Sequence, residues 1–509
     1  MIEPSSFARM LRPKTFGVDV SGALNLVGRM VKYLGVAFLF PVFVGLGYGD
    51  PVWPFLVAGT VTAAFGLGLE RLTHGGEAIG AREGFLVVSL TWALAALAAA
   101  IPYMLDEPQL RNPINAYFEA MSGMTTTGAS VLTDVSALDH TMALWRQFTQ
   151  WLGGMGIVVL GLAVLPRLRV GGRQLVESEM PGPEYEPLAA SIRDTARRLW
   201  LLYVGLTGLM ILTLSVFGWV GVDPLMTPFQ AAAHAFTTMP TGGFSPQTRS
   251  AEPFAAASQW VMVVFMMIAG ANFALHYRLL RRRMNPLRDE ELRLYLVFLL
   301  AGSLILFLEL LRADLFSAGE EAVRHSVFQA VSMMTTTGYA SADFNEWTSL
   351  TALTLVALML IGGCAGSTGG AIKVVRHLLI GKLLLRELDQ TVHREAVVPV
   401  RLNGRVIDER TLRAILAFGL LYVGLFLVGS LVLVIESARA GLEVSPFEAI
   451  GAAATTLGNV GPAFGFAGPM GSFEAFSPFA KEVMILLMWA GRLEIIPVVV
   501  LLTRRYWRA

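Results

Sequence analysis

The chain of 509 residues has little of what soluble chemistry uses. Cysteine occurs once, at Cys364, which excludes an intrachain disulfide and any metal site built from several thiolates. Charged residues amount to 15%, where a soluble domain carries about 25%, so most of the surface is unsuited to water. Neither sign of charge prevails, and a formal net charge of +1 leaves no basic footprint for nucleic acid. No paired carboxylates, no His-Glu-x-x-His and no nucleophile–base pair stand out near the apolar segments, which argues against a membrane enzyme. A dinucleotide-binding βαβ unit is also missing, so no cofactor is expected in this chain. The first thirty residues hold Arg9, Arg12, Lys14 and Arg29 without a long apolar core, and no small-residue cleavage pattern follows. The first helix is therefore expected to be retained and the protein to be integral to a membrane.

What the chain does have is apolar length: 54% of its residues are hydrophobic. Crossing ~30 Å of hydrocarbon takes about twenty apolar residues. Such runs lie near 31–49, 52–70, 84–104, 144–166, 199–219, 258–276, 292–311, 349–384 (interrupted), 411–435 and 479–502. Among the last eight sit shorter amphipathic segments near 113–124, 224–239, 322–334 and 445–457, too short to span. The pattern predicts an all-α integral membrane protein in which helix, re-entrant half-helix, turn and helix recur four times after an N-terminal hairpin. The expected boundaries are 1–83 for the N-terminal segment and hairpin, then repeats at 84–198, 199–291, 292–410 and 411–509.

Each half-helix ends in a threonine- or glycine-rich turn: Thr125-Thr126-Thr127-Gly128, Thr241-Gly242-Gly243-Phe244, Thr335-Thr336-Thr337-Gly338 and Gly458-Asn459-Val460-Gly461. The first and third share the longer frame Phe-x-Ala-x-Ser-x-Met before Thr-Thr-Thr-Gly, from Phe118 and Phe328. A single Thr-Gly pair in a membrane helix is usually a packing site, since small residues let helices approach. Four in matching places call for another reason. Non-helical backbone at membrane depth has to line a cavity or be buried in protein, and four such turns around one axis would present rings of carbonyls in place of an ion's water shell. Glycine there lets the backbone turn and approach a ligand closely. The expectation is a pore.

Two further features belong to it. Gly362-Gly363-Cys364-Ala365-Gly366-Ser367-Thr368-Gly369-Gly370 interrupts the run 349–384, and its spacing does not fit a phosphate loop, which needs Gly-Lys-Ser/Thr where Lys373 follows Gly370-Ala371-Ile372. Glycine costs about 1 kcal/mol per residue in a helix relative to alanine, so a break beneath the turns is expected, in the place of a gate, with plain helix–helix packing as the rival reading. Arg492 lies inside the last run, and a mid-membrane arginine costs at least ~2.5–3.5 kcal/mol unless it faces a cavity. The reading is a charge facing the pore, with a pair to Glu494 or a snorkel to an interface as its rivals. His234 reads as packed and hydrogen-bonded, Trp145 and Trp151 as interfacial anchors or packing, and Gly153-Gly154-Met155-Gly156 as close helix contact.

Basic residues cluster after the first repeat (Arg167, Arg169, Arg173, Arg193, Arg197, Arg198), after the second (Arg278, Arg281, Arg282, Arg283, Arg288, Arg293), after the third (Lys373 to Arg413) and at the end (Arg504, Arg505, Arg508). The turn-bearing side has few, among them Arg111, Arg146, Arg249 and Lys481, mixed with many acids. Cytoplasmic loops collect Lys and Arg, so the turns should face outside and both termini the cytoplasm.

The residues resemble the TrkH subunits of the Trk/Ktr/HKT potassium-transport superfamily over nearly the whole length. The matches are Gly123-Met124-Thr125-Thr126-Thr127-Gly128-Ala129, Gln150-Trp151-Leu152-Gly153-Gly154-Met155-Gly156-Ile157, Glu179-Met180-Pro181-Gly182-Pro183, Gly242-Gly243-Phe244-Ser245, Gly362 to Gly370 with Ile372-Lys373, and Gly491-Arg492-Leu493-Glu494. The resemblance implies four membrane–pore–membrane repeats around one pore, a homodimer in a bacterial inner membrane, and a cytosolic, nucleotide-binding partner ring of the TrkA type. It implies potassium as the substrate, bound at a filter of Thr126, Thr127, Gly128, Thr241, Gly242, Gly243, Thr336, Thr337, Gly338, Asn459, Val460 and Gly461. It implies a gate of Gly362, Gly363, Gly366, Ser367, Thr368, Gly369 and Gly370 with Arg492. Passive conduction and proton- or sodium-coupled symport both remain open. Pro240, Gly458 and Ala463-Phe464 depart from the family's usual residues at their positions.

Overall fold

The computed structural model describes residues 17–74, 80–163, 188–280, 286–316 and 319–508. Arg9, Arg12, Lys14, Arg167, Arg169, Arg173, Arg281 to Arg283 and the segment Glu179 to Pro183 lie outside the described residues. Among the described residues the secondary structure is helical apart from one short hairpin. Six of the described helices are long and apolar enough to cross a membrane: Val20–Tyr48, Trp53–Leu72, Arg82–Asp106, Asp194–Trp219, Glu290–Arg312 and Glu409–Arg439. The last four are the helices that open the expected repeats.

The half-helices lie close to where the sequence put them, at Pro113–Met124, Pro228–Thr238, Glu320–Met334 and Pro446–Gly458. Three begin alike, with a capping side chain followed by proline. Asn112 accepts from Ile114 N at 2.9 Å, Thr227 from Gln230 N at 3.2 Å, and Ser445 forms a reciprocal capping box with Glu448. The cap satisfies an orphan N–H, and proline at the first helical position loses no hydrogen bond, so each start is fixed locally. The third starts after Gly319 with Glu320 and Glu321, whose charges suit the positive end of the helix.

The helices that close the repeats differ more from expectation. The run 258–276 is not one helix: Ala256–Gly270 and Phe273–Leu280 meet at 101°. The small residues Gly270 and Ala271 allow the corner, and Asn272 Oδ1 accepts from Ala274 N at 2.8 Å to start the new helix. In the expected third repeat Ser349–Ile361 and Val374–Val392 flank the expected break. The run 479–502 is also interrupted, since Pro478–Arg492 ends and Ile496–Leu501 resumes beyond Glu494 and Ile495, at φ of +59° and +61°. A β-branched residue is rarely found there, and Ile495 is held by its N–H donating to Ala490 O at 2.7 Å. Arg492 thus stands at a helix end rather than in mid-helix. The first span begins at Val20 rather than 31, with Asp19 capping Gly22 N, and is offset at Phe38 because Pro41 has no N–H for the preceding turn. The all-α expectation is qualified by the hairpin of Arg401–Leu402 with Arg405–Val406, turned by Asn403 and Gly404 at φ of +48° and +80°.

The closing helix His140–Ala163 packs directly on the ends of two half-helices. A Cβ on Gly153 would overlap the Met124 carbonyl, and one on Gly154 would overlap Pro240. Trp145 and Trp151 are packed between helices, donating to Ala99 O at 3.1 Å and Thr207 Oγ1 at 3.2 Å. Gly153→Ala should therefore cost about 1–3 kcal/mol through overpacking. Gly205→Ala, where an added Cβ meets nothing within 4 Å, should be neutral or mildly stabilising. Thermal unfolding in detergent checks this: a midpoint for Gly153→Ala equal to that of Gly205→Ala would refute the contact.

Candidate functional site

The four turns share one backbone design. Thr126, Thr241, Thr336 and Asn459 have φ of +51°, +55°, +60° and +55°. The next residue donates its N–H five residues back, from Thr127 to Ser122 O at 2.8 Å, Gly242 to Thr237 O at 2.8 Å, Thr337 to Ser332 O at 2.9 Å and Val460 to Thr455 O at 2.9 Å. This is the left-handed helix end in which the first residue past the helix reverses the chain. Three of the four left-handed residues are threonines, a costly choice for a β-branched side chain and one concentrated at functional sites. Gly128, Gly243, Gly338 and Gly461 follow, also at positive φ, of +86°, +75°, +81° and +115°.

These glycines close on one another. A Cβ on Gly128 would overlap the Gly242 carbonyl oxygen, one on Gly243 that of Thr337, and one on Gly338 that of Val460, while one on Gly461 would lie 2.8 Å from that of Thr127. Each turn touches the next and the fourth touches the first, so the contacts form a ring. The same glycines line one cavity of about 70 Å³, with Ser130, Thr133, Arg146, Ser245, Gln247, Thr248 and Pro462 around its mouth. All twelve residues expected to line the filter are thus brought together.

Behind the ring each of the first three half-helices reaches across to the strand that leaves its turn. Glu119 accepts from Ser130 Oγ at 3.0 Å and Val131 N at 3.0 Å. His234 bonds Ser245 Oγ at 3.2 Å, and Gln329 accepts from Ser341 N at 3.1 Å. His234 Nδ1 also bonds Gln230 O at 2.8 Å, so it is a packed histidine as expected. The fourth half-helix has Ala452 at the matching place and packs Gly451 against Phe464 instead. Glu119 is paired with Arg146 at 2.8 Å, both fully buried. Tyr339, just past Gly338, bonds Thr237 and donates to His234 O at 3.1 Å, tying the third turn to the second half-helix.

The segment 362–373 fills the space on the helix side of the ring. Cys364 N donates to Gly270 O at 2.8 Å and Phe273 N to Gly366 O at 3.2 Å, so the break lies against the 101° corner. Thr368 Oγ1 donates to Met239 O at 3.0 Å, Gly370 N to Thr336 Oγ1 at 2.8 Å and Ala371 N to Gly458 O at 3.1 Å. Arg492 completes the set, donating to Thr368 O at 2.8 Å and Gly153 O at 3.3 Å. Gly362, Gly363, Ser367, Thr368, Gly369 and Gly370 are buried, and Gly366 is exposed. The rival pairing of Arg492 with Glu494 is not formed. Glu494 is taken by Lys373 at 3.2 Å and Arg376 at 2.5 Å, and the Arg376 guanidinium lies 3.9 Å from the Phe418 ring centroid.

Sequence reasoning missed three parts of this site: the Glu119–Arg146 pair, the clamp on Glu494, and Gln150, which bonds the second turn. The first two had a signal, since ionisable residues within apolar segments are expected to face a partner or a cavity. Arg146, counted among the few basic residues on the side of the turns, lines the cavity beside the filter glycines and is buried there against Glu119.

Comparison with known proteins agrees with the overall fold. Residues 54–508 match the family TrkH, described as cation transport protein. The chain is 36% identical over 491 residues to the Trk system potassium uptake protein TrkH of Salmonella typhimurium, covering 95% of this chain and 98% of that one. It is 32% identical over 491 residues to the Trk system potassium uptake protein TrkG of Escherichia coli, with the same coverage. Among solved structures it resembles the crystal structure of the potassium transporter TrkH from Vibrio parahaemolyticus, with a TM-score of 0.85 at 32% identity, over 96% of this chain and 99% of that one. The chain belongs to the TrkH family of cation transport proteins, a transport family rather than an enzyme family.

Proposed function

We propose that this chain is the membrane-spanning subunit of a Trk potassium uptake system and that potassium passes along the axis enclosed by the four turns. The observation that carries the reading is the closed ring of Thr127, Gly242, Thr337 and Val460 carbonyls against the four glycines. Carbonyl oxygens at such density replace the hydration shell of a monovalent cation. The half-helices end at the ring with their negative dipole ends, which favours a cation there. The repeats 84–198, 199–291, 292–410 and 411–509 each supply one quarter. Entry is from outside, where the turns open, and both termini face the cytoplasm. Uptake follows the membrane potential, worth about 2.3 kcal/mol per charge per 100 mV.

In this reading Gly362–Gly370 and Arg492 are the gate, and the hydrogen bonds of the loop to Thr336, Met239 and Gly458 describe its shut arrangement. Arg492 donates to carbonyl groups and has no carboxylate within ion-pair distance among the described residues. At 4 Å and an effective dielectric of about 20, a guanidinium opposes a cation by roughly 4 kcal/mol. Two copies of the chain and a cytosolic, nucleotide-binding ring of the TrkA type complete the assembly, with Val374–Val392 and the hairpin after it on the side such a ring would meet.

Two measurements test these assignments. Gly128→Ser and Gly243→Ser, which force a side chain onto a neighbouring carbonyl at positive φ, should lower the potassium-to-sodium permeability ratio in proteoliposomes by about tenfold while the protein still inserts. Unchanged ratios in both would remove the turns from the filter. Arg492→Ala should raise potassium flux per folded molecule, by about tenfold if a third of that electrostatic opposition is lifted, and Arg492→Lys should keep most of the barrier. A normalised flux in Arg492→Ala at or below wild type would take Arg492 out of the gate.

A further inference from the structure

The second turn is the only one of the four with glycine immediately before the filter glycine: Gly242, where the others have Thr127, Thr337 and Val460. Those side chains support their own turns. Thr127 Oγ1 lies 2.7 Å from Thr125 Oγ1 and accepts from Asn459 Nδ2 at 3.0 Å, Thr337 Oγ1 lies 2.8 Å from Thr335 Oγ1, and Val460 is fully buried. Gly242 brings nothing, and its φ is not one that requires glycine. The space a side chain would take is filled from outside the repeat. A Cβ on Gly242 would overlap the carboxamide of Gln150, a fully buried residue of the closing helix His140–Ala163 in the first repeat.

That carboxamide makes two bonds that fix which end is which. Gln150 Nε2 donates to Gly242 O at 2.7 Å, and Gln150 Oε1 accepts from Phe244 N at 3.1 Å, bracketing Gly243. One helical turn earlier Arg146 donates to Ser245 O at 3.4 Å, with its guanidinium 4.1 Å from the Phe244 ring centroid. One face of one helix thus holds residues 242 to 245. Resting on the filter reading above, we propose that Gln150 is a positioning residue for ion selectivity, standing in for the side chain that Gly242 lacks and orienting the Gly242 carbonyl. The donor on that oxygen also occupies part of its lone-pair density, so this quarter of the ring offers a cation a weaker field than the other three.

The test is a swap measured as the potassium-to-sodium permeability ratio in proteoliposomes, normalised to folded protein, with Gly243→Ser alongside. Gln150→Ala should lower the ratio about fivefold, the equivalent of about 1 kcal/mol for one buried hydrogen bond. Gly242→Val alone should impair flux, because its Cβ meets the Gln150 amide. The double substitution Gln150→Ala with Gly242→Val puts in the second turn the apolar side chain that Val460 gives the fourth, which needs no hydroxyl partner where Pro240 stands, and should bring the ratio back to within about twofold of wild type, which a merely structural role for Gln150 would not produce. Should Gln150→Ala not fold, Gln150→Glu carries the comparison, since it keeps an acceptor for Phe244 N–H and loses the donor to Gly242 O. An unchanged ratio in the Gln150 variant beside a lowered one in Gly243→Ser overturns the proposal and leaves the filter standing. A ratio that falls and is not restored by the double substitution overturns the stand-in role. If Gly243→Ser also leaves the ratio unchanged, the filter reading itself falls.

Discussion

A backbone carbonyl inside a membrane needs a partner, and this fold is organised around four groups of carbonyls withheld from helix hydrogen bonding. Leaving a buried polar group unpaired costs several kcal/mol in an apolar setting. The half-helices end before the turns, the N–H groups of the turns are satisfied by bonds five residues back, and the carbonyls that remain are gathered at one place. Three threonines in a left-handed conformation are the local cost of that arrangement. Such strain persists only where the surroundings over-determine it, and the buried half-helices with the glycine contacts of His140–Ala163 supply that restraint.

The four quarters are alike in backbone and unlike in support. One is backed by an acid paired with arginine, one by histidine, one by glutamine and one by the packing of Gly451 against Phe464. Removing one member of the Glu119–Arg146 pair would strand a buried charge, whereas a buried pair often adds little net stability over an apolar replacement. Its value here is geometric: Arg146 reaches from its own repeat to the Ser245 carbonyl of the next. The quarters thus share one backbone outline and differ in what stands behind it.

Much of this was legible in the sequence. Pro113 after Asn112, Pro228 after Thr227 and Pro446 after Ser445 announce helix starts by local chemistry, and the expected half-helices agree with those found to within a few residues. The matching turns were legible for the same reason, since a reversal at Thr126 or Asn459 is specified by its immediate neighbours. The corner at Gly270 to Asn272 and the interruption at Glu494 and Ile495 were not. Hydropathy registers how apolar a segment is and carries no record of its path, so a bent helix and a straight one read alike. Gln150 stands at the head of the Gln150-Trp151-Leu152-Gly153-Gly154 run, but its bond to Gly242 cannot be read there, because the partner lies 92 positions away.

The clamp on Glu494 has a mechanical meaning. Lys373 closes the glycine loop, Arg376 stands one turn into Val374–Val392, and both grip the same carboxylate on the interrupted last helix. The helix beyond them runs on to Lys382, which is bonded to Glu290 and Arg401 O. At about 1.5 Å of rise per residue it is a rod of nearly 30 Å, fastened in its first turn at Glu494 and again near its middle at Lys382. A stiff rod held at two points cannot swing about either, so any shift at the hairpin is carried back along it as a rigid displacement to Lys373 and the loop it adjoins.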